Sequence, residues 1–143
     1  EDGGGVRAGG DEGVRGGMSD ERTRLHVLEQ VLDAFNRHDL DAIMAHFADD
    51  CVFEAPRGPD PWGRRYEGKT AVREGLGARF TGIPDVSYEG HGDFVSGERG
   101  ASEWTLRGTM VDGRHLEVRG CDLWTFCGHE IVRKDSYWKI VEP

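Results

Sequence analysis

Asp122 stands in Val118-Arg119-Gly120-Cys121-Asp122-Leu123-Trp124-Thr125-Phe126, a stretch that otherwise reads as sheet. At a period of two, one face of it carries Val118, Gly120, Asp122, Trp124 and Phe126. A charged carboxylate among aromatic rings is costly to bury. It must reach water, find partners, or hold its proton more tightly than usual. The same conditions suit a general acid or base. The plain alternative is a structural carboxylate satisfied by backbone or tyrosine donors.

Asp135 is the second candidate catalytic carboxylate, because it shares a strand face with Tyr137; its alternative role is a charge at an exposed strand end. Tyr137 and Trp138 lie on opposite faces, so at most one of them points inward. Trp104, Trp124 and Phe126 are either core or the walls of a ligand cavity, with Val118 and Phe47 completing the apolar lining. The histidines are dispersed; His46 and His91 are the two that could approach a cavity. There is no His-Glu-x-x-His, no paired cysteine knuckle and no close His-x-His, so neither a metal nor another cofactor is expected. Cys121 faces away from Asp122, which argues against a cysteine nucleophile. What remains is cofactor-free acid–base chemistry, or no chemistry. A carboxylate in an apolar cavity could remove a proton next to a carbonyl, with a neutral donor stabilising the oxyanion. The partner expected is a small apolar or aromatic organic molecule.

These side chains need elements to hold them. Leu25, Leu28, Leu32 and Phe35, with Val31 beside them, predict a helix over about residues 20–37. Asp39 can cap a short second helix whose stripe is Leu40, Ile43, Met44 and Phe47. Residues 51–54 read as a strand and residues 56–63, with three prolines, as a loop. A third helix follows over 69–80, burying Val72, Leu76 and Phe80. The rest is sheet: strands over 86–95, where Gly90 and Gly92 weaken the strand or mark bulges, then 101–110, 116–126 and 131–141. Asp112-Gly113 is a hairpin signal. A two-residue turn there sets Arg107 opposite Val118 and Glu103 opposite Asp122, and places Arg107 on the pocket face. Three helices on one face of a curved, mainly antiparallel sheet enclose a conical cavity, an α+β fold.

Composition narrows the partners. The formal charge is −9, of which residues 1–17 supply −2. Such a surface is a poor match for nucleic acid or anionic membrane, and no apolar run reaches the length of a span. Three cysteines, Cys51, Cys121 and Cys127, without paired spacing fit a reducing cytoplasm. Residues 1–17 hold eight of the 22 glycines, so 1–18 is expected to be a disordered glycine-rich tail ahead of one domain over 19–143. Met18-Ser19-Asp20-Glu21 reads as a natural start preceded by extra residues.

Six segments carry a family resemblance: Phe35-Asn36-Arg37-His38-Asp39; Phe47 to Phe53; Tyr66-Glu67-Gly68-Lys69; Glu103 to Thr109; Gly120 to Phe126; and Ile131 to Trp138. Over residues 20–142 the chain resembles the SnoaL-like polyketide cyclase and ketosteroid isomerase branch of the nuclear-transport-factor-2-like superfamily. The resemblance implies a cone-shaped α+β fold, often homodimeric through the outer sheet face. It implies an acid–base role for Asp122, whose position matches the penultimate-strand aspartate of the cyclases. Asp135 resembles a final-strand aspartate of the limonene-epoxide-hydrolase branch, which implies hydrolysis as an alternative. A non-catalytic ligand-binding or dimeric assembly module is the other alternative.

Overall fold

The computed structural model describes residues 10–143, with side chains from residue 20 onward. Three helices, α1 (Gly10–Asn36), α2 (Leu40–Met44) and α3 (Lys69–Gly82), accompany six strands. The strands are β1 (Phe47–Glu54), β2 (Arg65–Glu67), β3 (Ser87–Ser96), β4 (Arg99–Thr109), β5 (His115–Cys127) and β6 (Glu130–Trp138). They form one mixed sheet in the order β2-β1-β6-β5-β4-β3. Only β1 and β6 pair in parallel; the other neighbours are antiparallel. The helices cover the inner face of a cone: α1 lies on β3, α3 on β1 and β2, and α2 between the two longer helices. No helix among the described residues is long and apolar enough to cross a membrane.

The buried stripe of α1 is Val27, Leu28, Val31, Ala34 and Phe35, with Leu25 and Leu32 at its margins. The helix starts at Gly10, well before the point at which the apolar stripe begins, because extending a helix from an already packed turn costs far less than nucleating it. The expected disordered tail therefore falls partly outside the described residues, at 1–9, and partly on helical backbone, at 10–18. Asp39 caps α2 as expected, its Oδ1 accepting from the Ala42 N–H at 3.0 Å. Phe47 leaves the helix stripe; it opens β1, opposite Ile131, and is fully buried.

The β4–β5 hairpin corrects the expected register. Its loop is wider than Asp112-Gly113: Met110 N–H donates to the Arg114 carbonyl at 2.8 Å, and Asp112 Oδ1 accepts from Arg114 N–H at 3.0 Å. That side-chain turn takes up extra residues, so the first ladder pair is Thr109 with His115. The pairing moves by one, which exchanges faces. Ser102, not Glu103, stands opposite Asp122. Arg107 stands opposite Glu117 on the outer face, bonded to Glu117 and Glu89.

The Gly90–Gly92 bulge is present. His91 is the extra residue, and Gly92 adopts φ 143°, a region open mainly to glycine. Beyond it the parity of β3 inverts. Tyr88 and Asp93 therefore share the inner face, although five residues apart.

Candidate functional site

Four polar residues form one transverse row across the inner face of the sheet: Asp93 on β3, Ser102 on β4, Asp122 on β5 and Ser136 on β6. Each is the direct ladder partner of the next. Flanking rungs supply Trp104, Trp124 and Lys134. Asp122 is 6% exposed and Lys134 7%. Asp122 Oδ1 accepts from Lys134 Nζ at 2.8 Å and from Ser136 Oγ at 2.5 Å, and its Oδ2 accepts from Trp104 Nε1 at 2.9 Å. Lys134 Nζ also donates to Ser136 Oγ at 2.7 Å and sits 5.0–5.6 Å from the centroids of Phe35, Phe53 and Trp124. Burial lowers the affinity of the Lys134 amine for its proton, while the adjacent Asp122 charge works the other way.

A second chain runs beside it. Trp124 Nε1 donates to Ser102 Oγ at 2.9 Å, and that hydroxyl donates to Asp93 Oδ1 at 2.6 Å. Burial pushes the Asp93 carboxyl above its ordinary value, opposed by the Ser102 bond and reinforced by the charges of Glu29 and Asp122. Tyr88, edge-on to both Phe35 and Trp104, is pushed by burial up to about 12, so its phenol keeps its proton and can donate.

Leu28, Leu32 and Phe35 of α1 close over Tyr88, Trp104, Trp124, Asp93, Asp122 and Lys134. The space left between them is about 30 Å³, enough for one or two waters. A larger groove of about 350 Å³ lies on the outer face, lined by His91, Glu103, Arg119, Tyr137 and Trp138 among others.

The structure thus divides the expected site residues. Asp122, Trp104 and Trp124 meet at the inner cavity. Val118, Phe126 and Phe47 point inward but are packed into core clusters rather than lining it. Asp135, Tyr137 and His91 lie on the other side of the sheet. Asp135 accepts from the Tyr137 hydroxyl at 3.2 Å and neighbours Arg133, which is itself paired with the buried Glu54. His91 meets Thr105 Oγ1 at 2.8 Å. His46 does not line the cavity; its carbonyl accepts from Ile131 N–H. Among the described residues no group of three or more His, Cys, Asp or Glu could hold a metal ion.

Lys134, Ser102, Ser136, Tyr88 and Asp93 are the residues that sequence reasoning missed. The first and third could have been found by following Trp138 rather than Tyr137 along β6, since Lys134, Ser136 and Trp138 share parity.

The sequence model of the family described as SnoaL-like domain matches residues 28–134. Among solved structures, an NTF2-like protein of unknown function from Mesorhizobium loti superposes with a TM-score of 0.71 at 28% identity, covering 84% of this chain and 93% of that one. A candidate polyketide cyclase from Xanthomonas campestris pv. campestris gives 0.70 at 20% identity, covering 84% and 93%. TerC, co-crystallised with polyporic acid, gives 0.70 at 15% identity, covering 82% and 92%. No curated protein matches the sequence.

Proposed function

Because the chain belongs to the SnoaL-like family of the nuclear-transport-factor-2-like superfamily, we propose that it is a cofactor-free acid–base enzyme. Its substrate is a small, largely apolar carbonyl compound, and the reaction is of isomerase or cyclase type. The observation that carries this reading is the buried Asp122–Lys134 pair facing an aromatic-walled cavity. Charge develops on a carbonyl oxygen as an adjacent proton leaves. An ammonium N–H held in a water-poor site stabilises that charge strongly. Lys134 Nζ is the donor to the oxygen, Asp122 is the acid–base partner that exchanges the proton through it, and the neutral Tyr88 phenol is a second donor. Trp104, Trp124 and Phe35 supply flat apolar walls. The bound polyporic acid of TerC, an organic molecule in the same fold, supports a ligand of this general kind.

Turnover on a panel of small ketones and enones tests the proposal. Asp122→Asn is expected to lower kcat by about a hundredfold or more, and an undiminished rate overturns the role of Asp122.

A second reading, a non-catalytic binding or assembly module, is favoured by two observations: three donors already satisfy Asp122, and the cavity is nearly filled. The two readings part on whether any panel compound that binds is also converted. Epoxide hydrolysis through Asp135 would have to take place on the outer face, away from the cavity. We also propose a homodimer formed through that outer face, supported by the family resemblance and by the exposed Tyr137 beside the groove. A cytoplasmic setting is the companion proposal, supported by three unpaired cysteines.

A further inference from the structure

Asp122 and Asp93 stand at two places in the same polar row, yet their surroundings differ. Both oxygens of Asp122 are engaged, by Lys134, Ser136 and Trp104. Asp93 accepts one hydrogen bond, from Ser102 to Oδ1, and its Oδ2 has no protein partner among the described residues. The Trp124-to-Ser102 chain fixes Oδ1 and so sets the orientation of the carboxylate. Asp93 lines the same cavity as Lys134 and is half-buried where Asp122 is buried. Two strand spacings separate the backbones of Asp93 and Asp122, about 9–10 Å. The space now left between the carboxylate at one end and the ammonium at the other is about 30 Å³, so a small carbonyl compound fits there only once the cavity widens.

We propose that Asp93 is the base that takes the carbon-bound proton, working opposite the Asp122–Lys134 pair, which serves the oxygen. This rests on the functional reading above and adds a residue to it. In the step, Asp93 Oδ2 accepts the proton from the carbon next to the carbonyl. The C–H electron pair becomes the new carbon–carbon π bond, and the carbonyl π pair moves onto oxygen, where Lys134 Nζ–H holds it. The protonated Asp93 then either trades its proton for one from solvent before reprotonating the original carbon, giving exchange, or delivers it to the far carbon of an enone, giving isomerisation. No oxidant, reductant or co-reactant is consumed.

The charged and titratable groups around Asp93 are Glu29 on α1, Tyr88 on its own strand, Glu103 on β4, Asp122 on β5 and Lys134 on β6. The acidic neighbours favour its protonated form and so move the onset of base activity upward in pH. The Ser102 bond acts in the opposite direction.

The test uses the full chain in heavy water with cyclohexanone and 1-tetralone. Proton NMR follows α-hydrogen exchange, and quenching of the tryptophan fluorescence, to which Trp104 and Trp124 at the cavity contribute beside Trp62 and Trp138, follows binding. Asp93→Asn is expected to keep the quenching of the parent while losing at least about a hundredfold in exchange rate. Equal exchange in Asp93→Asn overturns the proposal and leaves the Asp122–Lys134 reading standing, as does a variant that loses binding along with exchange. A parent that exchanges neither ketone overturns the reading beneath it as well. Ser102→Ala supplies the positioning readout. Without the hydroxyl donor the rising limb of the pH–rate profile should move to higher pH; an unmoved limb counts against Asp93 as the titrating base.

Discussion

Lys134 carries its charge into a place that water barely reaches, and Asp122 is what makes that tolerable. A buried ion pair is a poor source of net stability, but removing one partner leaves an uncompensated charge. Lys134→Met alone or Asp122→Asn alone should therefore cost about 3–5 kcal/mol in chemical denaturation. The double variant should recover much of that loss, because the rings of Phe35, Phe53 and Trp124 already offer an apolar lining. A double variant as unstable as the worse single variant would show that the pair is not the source of the cost. At this scale Asp122 was legible in the sequence, since a lone carboxylate alternating with aromatics has few explanations. Lys134 was not. It sits beside Asp135 and Arg133 in a run of charges, and nothing local says which of the three turns inward. Only the sheet pairing decides that, by setting Lys134 opposite Trp124 and Phe53.

The elements position the site through two irregularities, and the sequence exposed them unequally. Gly90 and Gly92 read either as a weakened strand or as bulges, and the structure has a bulge there. Carrying its one-residue inversion forward would have put Asp93 on the face of Tyr88. The β4–β5 turn was misread because Asp112-Gly113 fits a tight two-residue loop, whereas the Asp112 side chain folds back onto Arg114. β2 is three residues long, too short to show a period, and the parallel β1–β6 pairing joins distant segments that leave no local mark. Gly120 is the residue at which the sheet most tightly constrains the site. A Cβ there would lie 2.4 Å from the Tyr137 carbonyl oxygen and 2.5 Å from the Trp104 ring. Gly120→Ala should push Trp104 off Asp122 and destabilise the fold by about 1–3 kcal/mol. Unchanged thermal unfolding with unchanged indole fluorescence would refute that placement.

For the whole molecule, the inner face of the cone is filled and the outer face is open. Tyr137 is 52% exposed beside a groove of about 350 Å³, on the side from which the helices are absent. If two copies associate there, sedimentation equilibrium should give twice the chain mass, and Tyr137→Arg should return it to one. A parent sedimenting at the mass of a single chain would remove the dimer from the account. The overall architecture, three helices with an early strand among them and then an antiparallel meander, was readable from periodicity and turn residues, because both signals are local. The orientation of side chains within it depended on long-range register, and so did the site.

α1 is fastened to the sheet at its middle and at its C-terminal end. Arg24 reaches the Gly97 carbonyl in the turn after β3 and the Gly128 carbonyl in the turn after β5, each at 2.8 Å. At the C-terminal end, the Asn36 side chain both donates to and accepts from the Tyr88 backbone, at 2.9 and 2.7 Å. A helix bolted at two points is a poor door. Room for a guest would then have to come from β3, which has a neighbour on one side only and carries its kink between Gly90 and Gly92, beside Leu32. Widening this cone would mean bowing its outermost stave under a fixed crossbar.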